Sequence, residues 1–368
     1  MDKRRMFSIN EDPRSATTLP GTFYHHPGVF EQARERIFAR SWQMVIGAED
    51  AVKLPKDALP YRFMDHFLDE PLLLLNDENG HLQCFSNVCT HRGKILVEHP
   101  GRLERGSIVC GYHGRRFGLD GQFVSMPEMQ QALNFPCADD HLPKIPLRRW
   151  RQFVFNALEP AFDFDAWVGD MERKVGFLPI EQFRFAPERS RDYLVKAHWA
   201  LYCDNYLEGF HIPFVHKDLA ATLDWSAYRT ETYAYSNCQV GISKGGEHVF
   251  DLPAGHEDAG QAVAAYYFWL YPNIMFNFYP WGLSLNIVRP LSVNLTKVSF
   301  RAYVWDASKL DAGAGADIDL VEREDEAVVE QVHLGTQSRY YRHGRFSPER
   351  ETGVHHFHRL VSTLWGDK

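Results

Sequence analysis

The sequence predicts an α+β chain of two domains, one small and all-β, the other an antiparallel sheet with helices. Three observations carry that prediction. At 368 residues the chain is too long for one small core. Residues 44–160 alternate short β-rich runs (PLLLLN, LQCFSNV, SIVCGYHG, QFVFNAL) with Gly, Asp and Pro turns, the pattern of a compact β unit. Long alternating and aromatic runs follow later (AAYYFWLYP, NIMFNFYP, LSLNIVRPL, KVSFRAYVWD), and these read as one antiparallel sheet.

Taken in order, residues 28–43 place Phe30, Ala33, Ile37, Phe38 and Trp42 at helical spacing, which predicts a helix through Trp42. Residues 163–180 read as a helical, acidic connection, and 189–204 as a strand running toward a helix. The main helical motif is expected over 204–224. DAGAGAD (311–317) reads as a turn or linker, 318–342 as a long polar-faced helix, and 353–364 as a short last helix. Internal repeats and low-complexity tracts are absent.

Composition narrows the function. The chain is 45% hydrophobic, 24% charged and 14% aromatic, with a net charge of −8 and a pI of about 6.1. Such an acidic chain is poorly suited to nucleic acid or anionic membrane. Its N-terminus, MDKRRMFSINEDP, has no apolar core and does not read as a signal peptide, and no apolar stretch is long enough to span a bilayer. Six cysteines are too sparse for a disulfide scaffold. The expected compartment is the cytoplasm, where thiols stay reduced and free to bind metal.

Cys89-Thr90-His91 and Cys110-Gly111-Tyr112-His113 form the first metal constellation, separated by the 18 residues 92–109. Two thiolates and two imidazoles can hold zinc or a Rieske [2Fe–2S] cluster, with two Cys on one iron and two His on the other. Zinc knuckles usually pair C-x2–4-C. Here each pair is mixed, C-x-H and C-x2-H, which selects the Rieske reading. Gly93, Gly111 and Gly114 let the loops approach a cluster closely. His81 and His99 fall outside the pattern and read as surface residues.

The second constellation lies in DNYLEGFHIPFVH: Asp204, Glu208, His211 and His216. At about 100° per residue, 204, 208 and 211 share one helical face. Pro213 is expected to break the helix and return His216 to the same metal. Two imidazoles and a carboxylate make the facial triad of non-heme Fe(II) oxygenases, which leaves positions for O2. If Glu208 is used otherwise, the carboxylate comes from elsewhere. Asp325 in EREDEAVVEQ is the best candidate, with Glu324 and Glu322 as competitors. The plain alternative is solvated helix charges and satisfied core histidines. His355-His356-x-His358 reads as a helix surface or subunit contact.

Together these motifs resemble the α subunits of Rieske non-heme iron oxygenases, the ring-hydroxylating family. The resemblance covers roughly residues 20–365. CTHRG…CGYHGRRFGLDGQF is similar to the family's cluster motif, with a slightly longer gap. DNYLEGFHIPFVH is similar to its iron motif, EDEAVVEQVHLG to the helix carrying the aspartate ligand, and SPERETGVHHFHRLV to its tail. The resemblance implies a Rieske domain (44–160) inserted in a helix-grip, START-like catalytic domain (1–43 and 161–368). It implies a [2Fe–2S] cluster on Cys89, His91, Cys110 and His113, and Fe(II) on His211, His216 and Asp325. O2 is the co-substrate, and electrons come from NAD(P)H through a reductase or ferredoxin. It also implies a head-to-tail trimer in which Glu208 bridges His211 to the neighbour's His113. Asp204 would orient a ligand or face the pocket.

Most ring dioxygenases carry Asp where Glu208 stands. The Glu, with NYLEGFHIPFVHKDLA, resembles the choline, carnitine and glycine-betaine branch, and the short chain favours an α-only assembly. The implied function is a terminal oxygenase that hydroxylates or demethylates a small quaternary ammonium or N-methylated compound. Within the class, the alternative is an aromatic-ring dioxygenase producing cis-dihydrodiols. Outside it, the alternative is a non-catalytic Rieske electron carrier, with about two irons per chain against about three. A quaternary-ammonium oxygenase should present an aromatic cage with a nearby carboxylate. The candidate cage residues are Tyr266, Tyr267, Phe268, Trp269, Phe276 and Phe278, with ordinary sheet core as the competing reading.

Overall fold

The computed structural model describes residues 7–216, 224, 226–310 and 318–366. The chain divides into two compact units, residues 39–160 and the remainder on either side. The 311–317 turn and the stretch after His216 lie outside the described residues.

The inserted unit is all-β. Its strands are β1 (Gln43–Met44), β2 (Asp57–Phe63), β3 (Glu70–Asn76), β4 (Leu82–Ser86), β5 (Gly101–Arg102), β6 (Ile108–Val109), β7 (Arg116–Phe117), β8 (Phe123–Ser125), β9 (Leu147–Trp150) and β10 (Phe153–Asn156). They form three small antiparallel sheets in the orders β1-β10-β9, β4-β3-β2-β5 and β6-β7-β8. Leu72–Leu75 of the central β3 are fully buried on both faces, which is why that run is continuous rather than alternating. The core gathers Leu73, Leu75, Phe85, Ile108, Phe117 and Leu142 around Cys89 and Cys110.

The larger unit is built on a seven-stranded antiparallel sheet in the order β11-β17-β16-β15-β14-β13-β12. The strands are β11 (Arg184–Val195), β12 (Arg229–Thr232), β13 (Ser236–Ile242), β14 (Val263–Leu270), β15 (Ile274–Tyr279), β16 (Gly282–Ser292) and β17 (Leu295–Val304). Strands β12 to β17 form a meander, and β11 closes the far side on β17. Register aligns Gln239 with Tyr267, Tyr267 with Asn277, and Asn277 with Ser284. One rung of polar side chains therefore crosses four strands on a single face. Helices Phe164–Val175, Trp199–Tyr206, Ile318–Thr336 and Thr352–Gly366 complete the unit.

Four boundaries differ from the sequence expectation. The helix expected over 28–43 runs Pro27–Ala33, passes through a π turn at Arg34–Phe38 and stops. Trp42 continues the spacing only because it is buried in the core of the next unit. The site helix ends at Tyr206 instead of running on past His211. Pro213 lies in the first turn of the short helix Ile212–Val215, where its missing N–H costs nothing, so it starts a helix rather than breaking one. The long helix Ile318–Thr336 ends before 342. Among the described residues no helix is long and apolar enough to cross a membrane.

The 163–180 connection is an integral part of the larger unit. Asp163 caps its helix by accepting from the Ala166 N–H. Lys174, fully buried, reaches Glu231 at 2.8 Å, Asp258 at 3.1 Å and Glu257 at 3.3 Å, and Arg229 pairs with Asp258.

Candidate functional site

In the inserted unit two loops repeat one design. The Cys89 N–H donates to the Lys94 carbonyl and the Gly93 N–H to the Cys89 carbonyl; the Cys110 N–H donates to the Arg115 carbonyl and the Gly114 N–H to the Cys110 carbonyl. Gly93 and Gly114 both take φ +72°, a left-handed turn that favours glycine. Gly111 does not need that freedom. The imidazoles of His91 and His113 lie 4.8 Å apart between ring centroids, and the thiols of Cys89 and Cys110 are close enough to perturb each other's ionisation.

The chemistry of this set fits a Rieske cluster. His113 Nδ1 is buried without a hydrogen-bond partner, a costly state that a metal bond would relieve. Burial, with His113 and Arg115 nearby, pushes His91 below its ordinary value and keeps it a neutral, ligating imidazole. Burial alone would raise the Cys110 thiol, but N–H donors of Tyr112 and His113 and the Cys89 thiol bring it down. Beside the loops, Arg115 is 2% exposed and ion-paired to Asp140 at 2.6 Å. His81 and His99 are exposed, as expected.

In the larger unit His211, His216 and Asp325 converge, with one ligand atom from each within 4.8 Å of the others. His216 Nε2 is 2.9 Å and His211 Nε2 3.5 Å from Asp325 Oδ1. The opposite ring nitrogens are occupied: His211 Nδ1 lies 2.7 Å from Glu208 and His216 Nδ1 2.7 Å from Glu324. Carboxylates accepting Nδ1–H hold both rings with Nε2 turned toward the Asp325 carboxylate, so that a metal between them would meet two imidazole nitrogens and one carboxylate oxygen. This arrangement fits a mononuclear metal. Glu324 orients His216 instead of competing as the third carboxylate, and Glu322 stands outside the triad.

Glu208 and His211 do not extend the helix that carries Asp204. The chain leaves that helix at Leu207, and Glu208 accepts the His211 backbone N–H as well as its ring N–H. Asp204 faces neither the triad nor the cavity beside it. Its carboxylate accepts from Tyr24 at 2.8 Å and from His358 at 2.9 Å, while His358 Nδ1 accepts the Leu19 N–H. It is a clasp for the chain's two end segments. His355 and His358 are accordingly buried, not a helix surface. The neighbouring Asn205 does the work expected of Asp204, donating to Asp325 Oδ1 at 2.6 Å.

A cavity of about 120 Å³ adjoins the triad. Its walls include Tyr202, Tyr206, Tyr228, Tyr267, Tyr279 and Phe300. Of the aromatics expected from sequence only Tyr267 is there; Tyr266, Phe268, Trp269, Phe276 and Phe278 are fully buried core. Tyr206 donates to Asn277 at 2.7 Å and Tyr228 to Gln239 at 3.0 Å. The polar rung thus ties down the hydroxyls of the aromatic wall. Tyr267 and Tyr279 meet edge to face at 5.8 Å. Among the described lining residues none is Lys or Arg, and Glu322 is buried there. Burial pushes its carboxyl well above the usual range; the Tyr202 hydrogen bond opposes this and the Asp325 charge adds to it.

An all-β unit with paired Cys-and-His loops and a sheet-and-helix unit with a centre of two histidines and one carboxylate define a two-centre iron oxygenase. The family models agree: residues 41–146 match the Rieske [2Fe-2S] domain and residues 182–366 the ring hydroxylating alpha subunit (catalytic domain). The chain belongs to the Rieske-type ring-hydroxylating oxygenase α subunits. It is 31% identical to the chloroplastic choline monooxygenase of Arabidopsis thaliana, over 94% of this chain and 82% of that one. It is 26% identical to the carnitine monooxygenase oxygenase subunit of Escherichia coli, over 97% and 96%. Among solved structures, the quaternary ammonium Rieske monooxygenase CntA superposes with a TM-score of 0.75 at 24% identity, over 97% and 99% of the two chains. Naphthalene 1,2-dioxygenase superposes at 0.71 with 16% identity, over 99% and 95%. The protein is therefore an oxidoreductase, a terminal oxygenase with a Rieske cluster and a mononuclear iron. It draws electrons from a donor partner and acts on a small molecule.

Proposed function

We propose that this oxygenase hydroxylates or demethylates a small quaternary ammonium or N-methylated compound. The carrying observation is the cavity beside the triad, with tyrosine walls, a buried carboxylate and no Lys or Arg among its described lining residues. Aromatic faces attract such a cation electrostatically. The kinship with choline and carnitine monooxygenases supports the same reading.

Cys89, His91, Cys110 and His113 would hold the cluster, and His211, His216 and Asp325 the mononuclear iron. When bound, the two centres supply single-electron transfer and dioxygen activation. The protein's own groups set the geometry. Glu208 and Glu324 hold the imidazoles in the ligating tautomer, Asn205 positions Asp325, and the tyrosines exclude water and pose the substrate. Glu208 is further assigned as the bridge from His211 to His113 of a neighbouring copy in a head-to-tail trimer without a second subunit type. Its contact with His211 and the inter-subunit electron transfer described for a solved relative support this.

Product analysis with isotopically labelled O2 tests the substrate class, using choline, L-carnitine, glycine betaine and naphthalene with a reductase. Label in a product of one of the quaternary amines is expected. A labelled cis-dihydrodiol and no amine turnover would sink the proposal.

A further inference from the structure

We propose that Glu322 is the counter-ion for the substrate's cationic head, an assignment that rests on the quaternary-ammonium reading above. Glu322 is 3% exposed and lines the tyrosine cavity. One carboxylate oxygen accepts the Tyr202 hydroxyl at 2.6 Å. The other, Oε1, is buried and has no hydrogen-bond partner. The charges acting on it are themselves acidic: Asp325, Glu326 and Asp319.

A buried carboxylate oxygen without a donor is a costly arrangement in a folded chain. The triad does not relieve it, because His211, His216 and Asp325 close without Glu322. A Tyr202 contact alone does not explain an ionisable acid here, since Gln would accept the same hydrogen bond; burial disfavours its charge in the empty cavity, and a bound cation would restore it. A quaternary ammonium does explain it. That ion has no N–H to donate, so a carboxylate that holds it offers a free oxygen and no matched donor geometry. The π faces around it share the charge. The Tyr202 hydrogen bond fixes the Glu322 rotamer before the ligand arrives, which lowers the ordering cost of binding.

The test is calorimetric binding to resting holoenzyme, without reductant, of choline and of its uncharged carbon isostere 3,3-dimethylbutan-1-ol. Wild type, Glu322→Gln and Glu322→Asp are compared, with cluster spectrum and iron content measured for each. Glu322→Gln is expected to weaken choline at least about tenfold, as losing one desolvated charge pair does, while the isostere binds unchanged. Glu322→Asp should retain part of the choline affinity. Unchanged choline binding in Glu322→Gln overturns the assignment and leaves the substrate reading standing. Equal weakening of both ligands overturns it in favour of a packing role. Loss of mononuclear iron in Glu322→Gln overturns it in favour of a metal-site role. If wild type, titrated in the same way with choline, L-carnitine and glycine betaine, binds none of them, the substrate reading falls and takes this assignment with it.

Discussion

At the scale of the residue, the triad is held by what lies behind it. Each imidazole turns Nε2 inward because its Nδ1 is engaged by Glu208 or Glu324. Asp325→Ala should therefore lose the mononuclear iron while keeping the cluster's visible spectrum; iron retained at full occupancy would show that another carboxylate ligates. Glu208→Gln should leave both metals bound and lower turnover by about 10- to 100-fold, the usual scale for removing a carboxylate partner of a ligating histidine. Near-normal turnover would remove Glu208 from the electron path. The histidines and cysteines were legible because few other roles demand those residue types at those spacings. Asp325 was legible as the best of three acidic candidates on the long helix, with much of the choice supplied by the resemblance. Asn205 was not legible at all: its partner lies 120 residues away, and an Asn beside an Asp carries no local mark of which one faces the metal.

At the scale of the element, the decisive feature is the break after Tyr206. A continuous helix would set Asp204, Glu208 and His211 on one face; the break instead sends Asp204 outward to His358 and Glu208 inward to His211. The signal for it sits on another element. A Cβ on Gly353, at the start of the last helix, would stand 2.2 Å from the Leu207 carbonyl oxygen. Gly353→Ala should then force the bend apart, costing roughly 1–3 kcal/mol as overpacking does. Iron occupancy should fall with the thermal midpoint, whereas a fall in stability with full iron would separate the bend from the site. The aromatic wall shows the same dependence on distant partners. Runs such as AAYYFWLYP announce a strand, but which alternate residues meet the cavity is set by register across four strands. Tyr202 and Tyr206 arrive from a helix, outside any strand pattern.

At the scale of the whole molecule, the division into two units and the fold class were legible because hydrophobic period and turn content change at the junctions. The charge network of the larger unit was not, since Lys174 looks like any helix lysine until it is found fully buried. Burial works against the charges of Glu231 and Asp258, yet Lys174 and the tyrosines that donate to them hold both carboxyls below their ordinary values. Carboxyls lowered in the folded state stabilise it above the ordinary carboxylate range. They lose that contribution as pH falls through about 4 and below. Lys174→Met should cost about 3 kcal/mol at neutral pH and flatten the acid limb of the stability curve. An acid limb identical to wild type would assign it to other groups. Metal analysis of the intact protein should find about three irons per chain; a value near two would describe a carrier of electrons rather than an oxygenase.

The inserted unit closes on itself. The Ala39 carbonyl accepts the N–H groups of Leu158 at 3.1 Å and Glu159 at 2.9 Å, so the stretch enters and leaves at one point and keeps its own core. A segment whose ends already touch can be lifted from a gene and its host rejoined by a short link, at little entropic cost.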